Sequence, residues 1–133
     1  MKRILSIDGG GIRGLFALQI LKRMETLLFN QRRLALHEYF DFMAGTSTGG
    51  VIASLLSWGY SAAEIDNFYR THAGDIFAMN RLDRLLFSRF RADRFSRLLR
   101  DTFTEDDGSP ALLGTDKLNT MLLLTMRNAS TGS

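Results

Sequence analysis

Residues 40–58 read Phe-Asp-Phe-Met-Ala-Gly-Thr-Ser-Thr-Gly-Gly-Val-Ile-Ala-Ser-Leu-Leu-Ser-Trp, and Gly59 follows. The apolar run at 40–44 reads as a short strand, the small residues at 45–50 break it sharply, and 51–58 reads as a fully buried helix that Gly59 ends. Gly45-Thr46-Ser47-Thr48-Gly49 matches G-x-S-x-G. A serine on a tight strand-to-helix turn holds its hydroxyl clear of the backbone, and its neighbours must be small for the chain to turn so sharply. The helix that follows also directs its positive end at that hydroxyl. Ser47 is therefore a candidate nucleophile; the plainer alternative is an ordinary turn residue.

The same pattern occurs earlier in the chain. Residues 3–7 read as a buried strand, with Ile4, Leu5 and Ile7 apolar. Asp8-Gly9-Gly10-Gly11-Ile12-Arg13-Gly14 follows as a turn, and apolar residues at helical spacing then run from 13 to 30. Glycines at such a junction let backbone N–H groups point into open space beside the positive end of the helix. That arrangement suits an anion, either a phosphate or a developing oxyanion. Asp8 is expected to cap N–H groups of this turn. Gly9, Gly11 and Gly14 also satisfy G-x-G-x-x-G, the dinucleotide fingerprint. That motif wants an acidic residue at the end of the second strand, where Ala44-Gly45-Thr46 stands instead. A nucleotide-binding module is kept as an alternative.

Strand, turn, helix, repeated, is the pattern of a parallel sheet with covering helices. Ser61 is a plausible N-cap for a helix over 62–72, with Glu64 at the capping-box position. Residues 104–110 read as an acidic loop, and 121–126 as a third strand so apolar that it wants cover on both faces. The expected fold is a three-layer α/β/α arrangement with a mainly parallel sheet. At 133 residues the chain holds one domain at most, and 45% hydrophobic with 23% charged residues argues against disorder. There are no cysteines, which excludes disulfides, thiolate metal sites and a Cys nucleophile, and two histidines make a poor metal site. No apolar run reaches the ~18 residues of a membrane span, and the N-terminal apolar stretch is too short for a signal peptide. The expected location is the cytoplasm, with peripheral contact at membranes.

The two turns together, Asp-Gly-Gly-Gly-Ile-Arg-Gly at 8–14 and Gly-Thr-Ser-Thr-Gly-Gly at 45–50, resemble the patatin-like phospholipase family. The likeness is strongest up to Trp58. It implies that Ser47 is the nucleophile, that Gly10 and Gly11 supply oxyanion N–H groups, and that Arg13 orients or charge-stabilises the site. Gly9, Gly14, Gly45 and Gly49 complete the motifs. The implied reaction is hydrolysis of acyl esters in glycerophospholipids or related lipids through an acyl-serine, without metal or organic cofactor. The family's base is an aspartate in a later Asp-Gly-Gly or Asp-Gly-Ala motif, and no such motif is present. Asp107-Gly108 lies in an acidic turn with no apolar strand before it. His37 and His72 do not fit the chain order of a Ser–acid–His triad. Residues 1–133 are accordingly expected to be the N-terminal, truncated part of a patatin-like domain, inactive in isolation. A non-catalytic interaction fragment is the remaining alternative.

Charge is uneven. Residues 81–100 hold Arg81, Arg84, Arg89, Arg91, Arg94, Arg97 and Arg100 against two aspartates, a net of +5, while the rest carries 10 basic and 12 acidic residues. Interleaved Leu and Phe make this one or two amphipathic helices. They would suit peripheral contact with an anionic membrane; a solvated charged face over a Leu/Phe core is the simpler reading. No nucleic-acid module accompanies the arginines, so no nucleic-acid partner is expected.

Overall fold

The computed structural model describes residues 1–74, 88–112 and 114–126, with side chains at 88–93 excepted. Its elements in order are β1 (Ile4–Ile7), a 3-10 turn (Gly11–Arg13), α1 (Gly14–Arg32), α2 (Leu36–Tyr39), β2 (Phe42–Thr46), α3 (Thr48–Trp58), α4 (Ala62–Thr71), α5 (Ser88–Thr102) and β3 (Met121–Thr125). They fall into two compact units, residues 1–67 with 118–133, and residues 68–117. No helix among the described residues is long and apolar enough to cross a membrane.

The first unit is an α/β fold built on a parallel sheet in the order β1-β2-β3, with Ile7 opposite Gly45 and Gly45 opposite Leu124. α3 packs against all three strands and touches α1 and α2. It is apolar nearly all round, as its sequence predicts, with Ile52, Ala53, Leu55 and Leu56 buried. Met43, Leu18, Leu21 and Leu36 complete the core. Because the strand order is monotonic, right-handed crossovers carry the connecting helices to one face of the sheet. Among the described residues the opposite face of this unit is exposed, Ile4 at 66%, Met121 at 63% and Leu123 at 53%. β3 therefore lacks, among the described residues, the cover on both faces that its apolar sequence leads one to expect, and Ile4 of β1 is not buried as expected.

The second strand starts two residues later than the apolar run suggests. Phe40 donates its N–H to the Leu36 carbonyl at 3.0 Å, closing the short helix α2. Asp41 is then pinned to β1: its carboxylate accepts the Arg3 N–H at 2.8 Å, and its N–H donates to the Arg3 carbonyl at 2.9 Å. The strand proper begins at Phe42.

α4 starts with the expected box. The Ser61 hydroxyl accepts the Glu64 N–H at 3.2 Å, and the Glu64 carboxylate accepts the Ser61 N–H at 2.8 Å. The helix docks on α1 through buried Asp66, which takes Lys22 Nζ at 2.9 Å and Gln19 Nε2 at 3.2 Å. Glu25 accepts the Ala62 N–H at 3.0 Å, and partial burial raises its pKa. Before β3, Asn119 donates its N–H to the Ser57 carbonyl at 2.7 Å and its amide to the Trp58 carbonyl at 3.1 Å. These bonds cap the end of α3 and aim the chain into β3.

In the second unit, α5 exposes Arg94, Arg97 and Arg100 and half-buries Phe95, Leu98 and Leu99, the amphipathic split its sequence predicts. Arg81 and Arg84, and the side chains of Arg89 and Arg91, lie outside the described residues. The acidic loop is closed by a bridge between Thr104 and Pro110.

Candidate active site

Thr46 ends the central strand and Thr48 opens α3, so Ser47 alone must turn the chain. It does so at φ 50° and ψ −126°, a backbone conformation that L-residues rarely adopt. The Ser47 carbonyl accepts the N–H groups of Gly50 at 2.9 Å and Val51 at 3.2 Å, which starts the helix. The residue is exposed, and its hydroxyl has no hydrogen-bond partner among the described residues. A strained, exposed hydroxyl at a helix N-terminus is the geometry that the sequence motif predicts.

The glycine turn lies directly against it. A Cβ placed on Gly9 would stand 2.7 Å from Ser47 Cβ and 2.8 Å from the Thr46 carbonyl oxygen. Only a residue without a side chain lets the first turn approach the second this closely. Gly14 and Gly49 make comparable approaches, Gly14 to the Thr48 side chain and Gly49 to the Ile7 carbonyl, and Gly45 abuts Gly49. The N-terminal ends of α1 and α3 therefore meet beside Ser47, and their partial positive charges converge there.

The turn's own polar groups sort into two kinds. Gly9 donates its N–H to Thr46 Oγ1 at 3.0 Å. The Gly10 carbonyl accepts the Arg13 N–H at 3.3 Å and Arg13 Nε at 3.4 Å. Gly11 has φ 59°, which glycine tolerates without strain. Its N–H and that of Gly10 have no hydrogen-bond partner among the described residues. Two uncommitted N–H groups and two helix N-termini can together stabilise negative charge developing on an oxygen bound next to Ser47. The Arg13 side chain thus bonds the turn's own carbonyl. Asp8 does not cap the turn as expected. Its carboxylate is exposed and makes no hydrogen bond among the described residues, because Thr46 already takes the Gly9 N–H. β2 ends in Ala44-Gly45-Thr46, with no acidic residue where a dinucleotide site wants one, so the dinucleotide reading gains no support.

No Asp, Glu or His side chain is hydrogen-bonded to Ser47 among the described residues. Asp107 accepts the Ser109 N–H at 2.8 Å within its own turn. The Ser109 side chain, then its backbone, holds that carboxyl below the usual range, as befits a surface turn residue. His72 lies against Phe68 with tilted rings, centroids 5.0 Å apart, and His37 offers its carbonyl to the Thr120 hydroxyl at 2.7 Å. The Thr46–Gly9 bond escaped the sequence reading, since it joins residues that only strand register brings together.

Residues 5–130 match the family model described as patatin-like phospholipase. A cGAMP-activated phospholipase of Vibrio cholerae is 41% identical over 78 residues, covering 56% of this chain and 22% of that protein. A cUMP-AMP-activated phospholipase of Escherichia coli is 32% identical over 115 residues, covering 84% of this chain and 32% of its own length. Calcium-independent phospholipase A2-gamma of Homo sapiens is 39% identical over 79 residues, covering 59% of this chain and 10% of that protein. The chain thus spans a third or less of the length of these relatives.

Proposed function

The chain belongs to the patatin-like phospholipase family, and from that membership we propose that it carries the nucleophile and oxyanion donors of a serine-dependent lipid acyl hydrolase. The observation that carries the reading is Ser47 at φ 50°, exposed, with the unpaired N–H groups of Gly10 and Gly11 on the adjoining turn. Ser47 Oγ attacks the carbonyl carbon of an acyl ester and gives up its proton to a base. The carbonyl oxygen becomes an oxyanion held by the Gly10 and Gly11 N–H groups, each such donor being worth roughly 3–4 kcal/mol of barrier. The ester C–O bond then breaks, the alcohol leaves with a proton, and the acyl-serine is hydrolysed by water to a fatty acid. The family's Asp-Gly-Gly or Asp-Gly-Ala base motif is not found after Ser47 in these 133 residues, so this chain alone is expected to be inactive. Arg94, Arg97 and Arg100 on the exposed side of α5 suit the anionic surface of the membrane in which such esters reside.

The test is intact-mass analysis of the full-length gene product after treatment with a fluorophosphonate, beside Ser47→Ala. One phosphonyl group on the parent and none on the variant is expected. Labelling that survives in Ser47→Ala, or a folded parent that takes no label, overturns the proposal.

A further inference from the structure

We propose that Thr46 is a positioning residue: its hydroxyl, by accepting the Gly9 N–H, fixes the glycine turn so that the Gly10 and Gly11 N–H groups stay free beside Ser47. This rests on the acyl-serine reading above for its consequence in catalysis, though not for the contact itself. Three observations carry it. The bond is 3.0 Å long and joins residues 37 apart in sequence, so it ties the turn after β1 to the end of β2. Thr46 is the last residue of the central strand and is paired with Thr125 of β3, which makes it a firm anchor. And the turn is otherwise held from within itself, by Arg13 on the Gly10 carbonyl.

Without the Thr46 hydroxyl, Gly9 keeps a part-buried N–H with no acceptor, a penalty that the turn can relieve by rotating its peptide groups. The Gly9 N–H lies in the Asp8–Gly9 peptide and the Gly10 N–H in the next, the two planes being joined at Gly9 Cα, so a Gly9 released from Thr46 frees both peptides to re-orient. The hydroxyl thus sets which N–H of the turn is consumed and which two are left.

Three full-length proteins decide the matter: the parent, Thr46→Val, which keeps the shape and removes the acceptor, and Thr46→Ser, which keeps the hydroxyl. The first readout is amide hydrogen exchange at Gly9 by NMR, independent of any chemistry at Ser47. Thr46→Val is expected to speed that exchange about tenfold, with Thr46→Ser close to the parent and melting temperatures similar in all three. The second is the rate of fluorophosphonate labelling, expected to fall about tenfold or more in Thr46→Val and to recover in Thr46→Ser. Unchanged Gly9 exchange in Thr46→Val, parental labelling in it, or failure of serine to rescue overturns the proposal. A parent with a protected Gly9 amide that never labels counts against the acyl-serine reading alone, and the exchange pattern then decides the role of Thr46. Should Thr46→Val not fold, the parent's Gly9 amide is sufficient: exchange at the free-peptide rate overturns the proposal.

Discussion

Ser47 and the glycines around it share one constraint, two turns brought closer than side chains allow. A residue at φ 50° and ψ −126° stores roughly 1–3 kcal/mol, which the fold must offset elsewhere. Ser47→Gly releases that strain, at the cost of a more flexible unfolded chain, whereas Ser47→Ala keeps it. Ser47→Gly is therefore expected to be more stable than Ser47→Ala by about 1 kcal/mol in urea unfolding, with both equally unreactive. Equal midpoints would remove the argument for strain. Gly9 and Gly11 make the complementary pair. A methyl on Gly9 meets Ser47 Cβ at 2.7 Å, while one on Gly11 meets nothing within 4 Å. Gly9→Ala should cost about 2 kcal/mol or more by crowding, and Gly11→Ala about 1 kcal/mol, from backbone conformation alone. The reverse ranking would mean that the two turns do not touch. The motif glycines are legible in the sequence because a tight turn leaves a local signature; which glycine faces Ser47 depends on strand register, and that is not local.

The helices carry the electrostatics that pH can read. Glu64, held by the Ser61 hydroxyl and then its N–H, has a lowered pKa, and Glu25, desolvated against α4, has a raised one. Their signs differ. The Glu64 contribution is present above its unfolded pKa and fades as pH falls through the lower folded value. Glu25 favours folding when protonated, so its contribution is complete below its unfolded pKa and is lost as pH rises through the raised folded value. Glu25→Gln keeps a carbonyl for the Ala62 N–H and removes the charge. It is expected to raise the urea midpoint at neutral pH, with the gain shrinking toward about pH 4, where the parent's own carboxyl is protonated. A gain that grows on acidification would contradict this. The start of α4 is legible from Ser61 and Glu64 because capping is a three-residue affair. The Glu25–Ala62 bond is not, because it depends on how α1 and α4 pack.

In the sheet-bearing unit, the order of strands decides which face is covered. Period-2 and period-3.6 patterns are local, so the alternation of strands and helices, and hence the α/β class, can be read along the chain. The distribution of helices over the two faces cannot, since it follows from β1-β2-β3 lying in sequence order with crossovers of one hand. Two rows of neighbours result on the open face, Ile4–Phe42–Met121 and Ser6–Ala44–Leu123. A sequence-based reading counts Leu123 as core; in the structure it is 53% exposed, whereas Met43 is fully buried. The consequence is measurable in the 133-residue chain. Leu123→Gln should change stability by no more than about 0.5 kcal/mol, as surface substitutions do, while Met43→Gln should cost about 3 kcal/mol or more, because it buries an amide without partners. The same Leu123→Gln should lower concentration-dependent light scattering, since contiguous exposed apolar rows drive association. Equal losses at the two positions would show that the second face is as well covered as the first, and that one-sided packing is not what holds this sheet together.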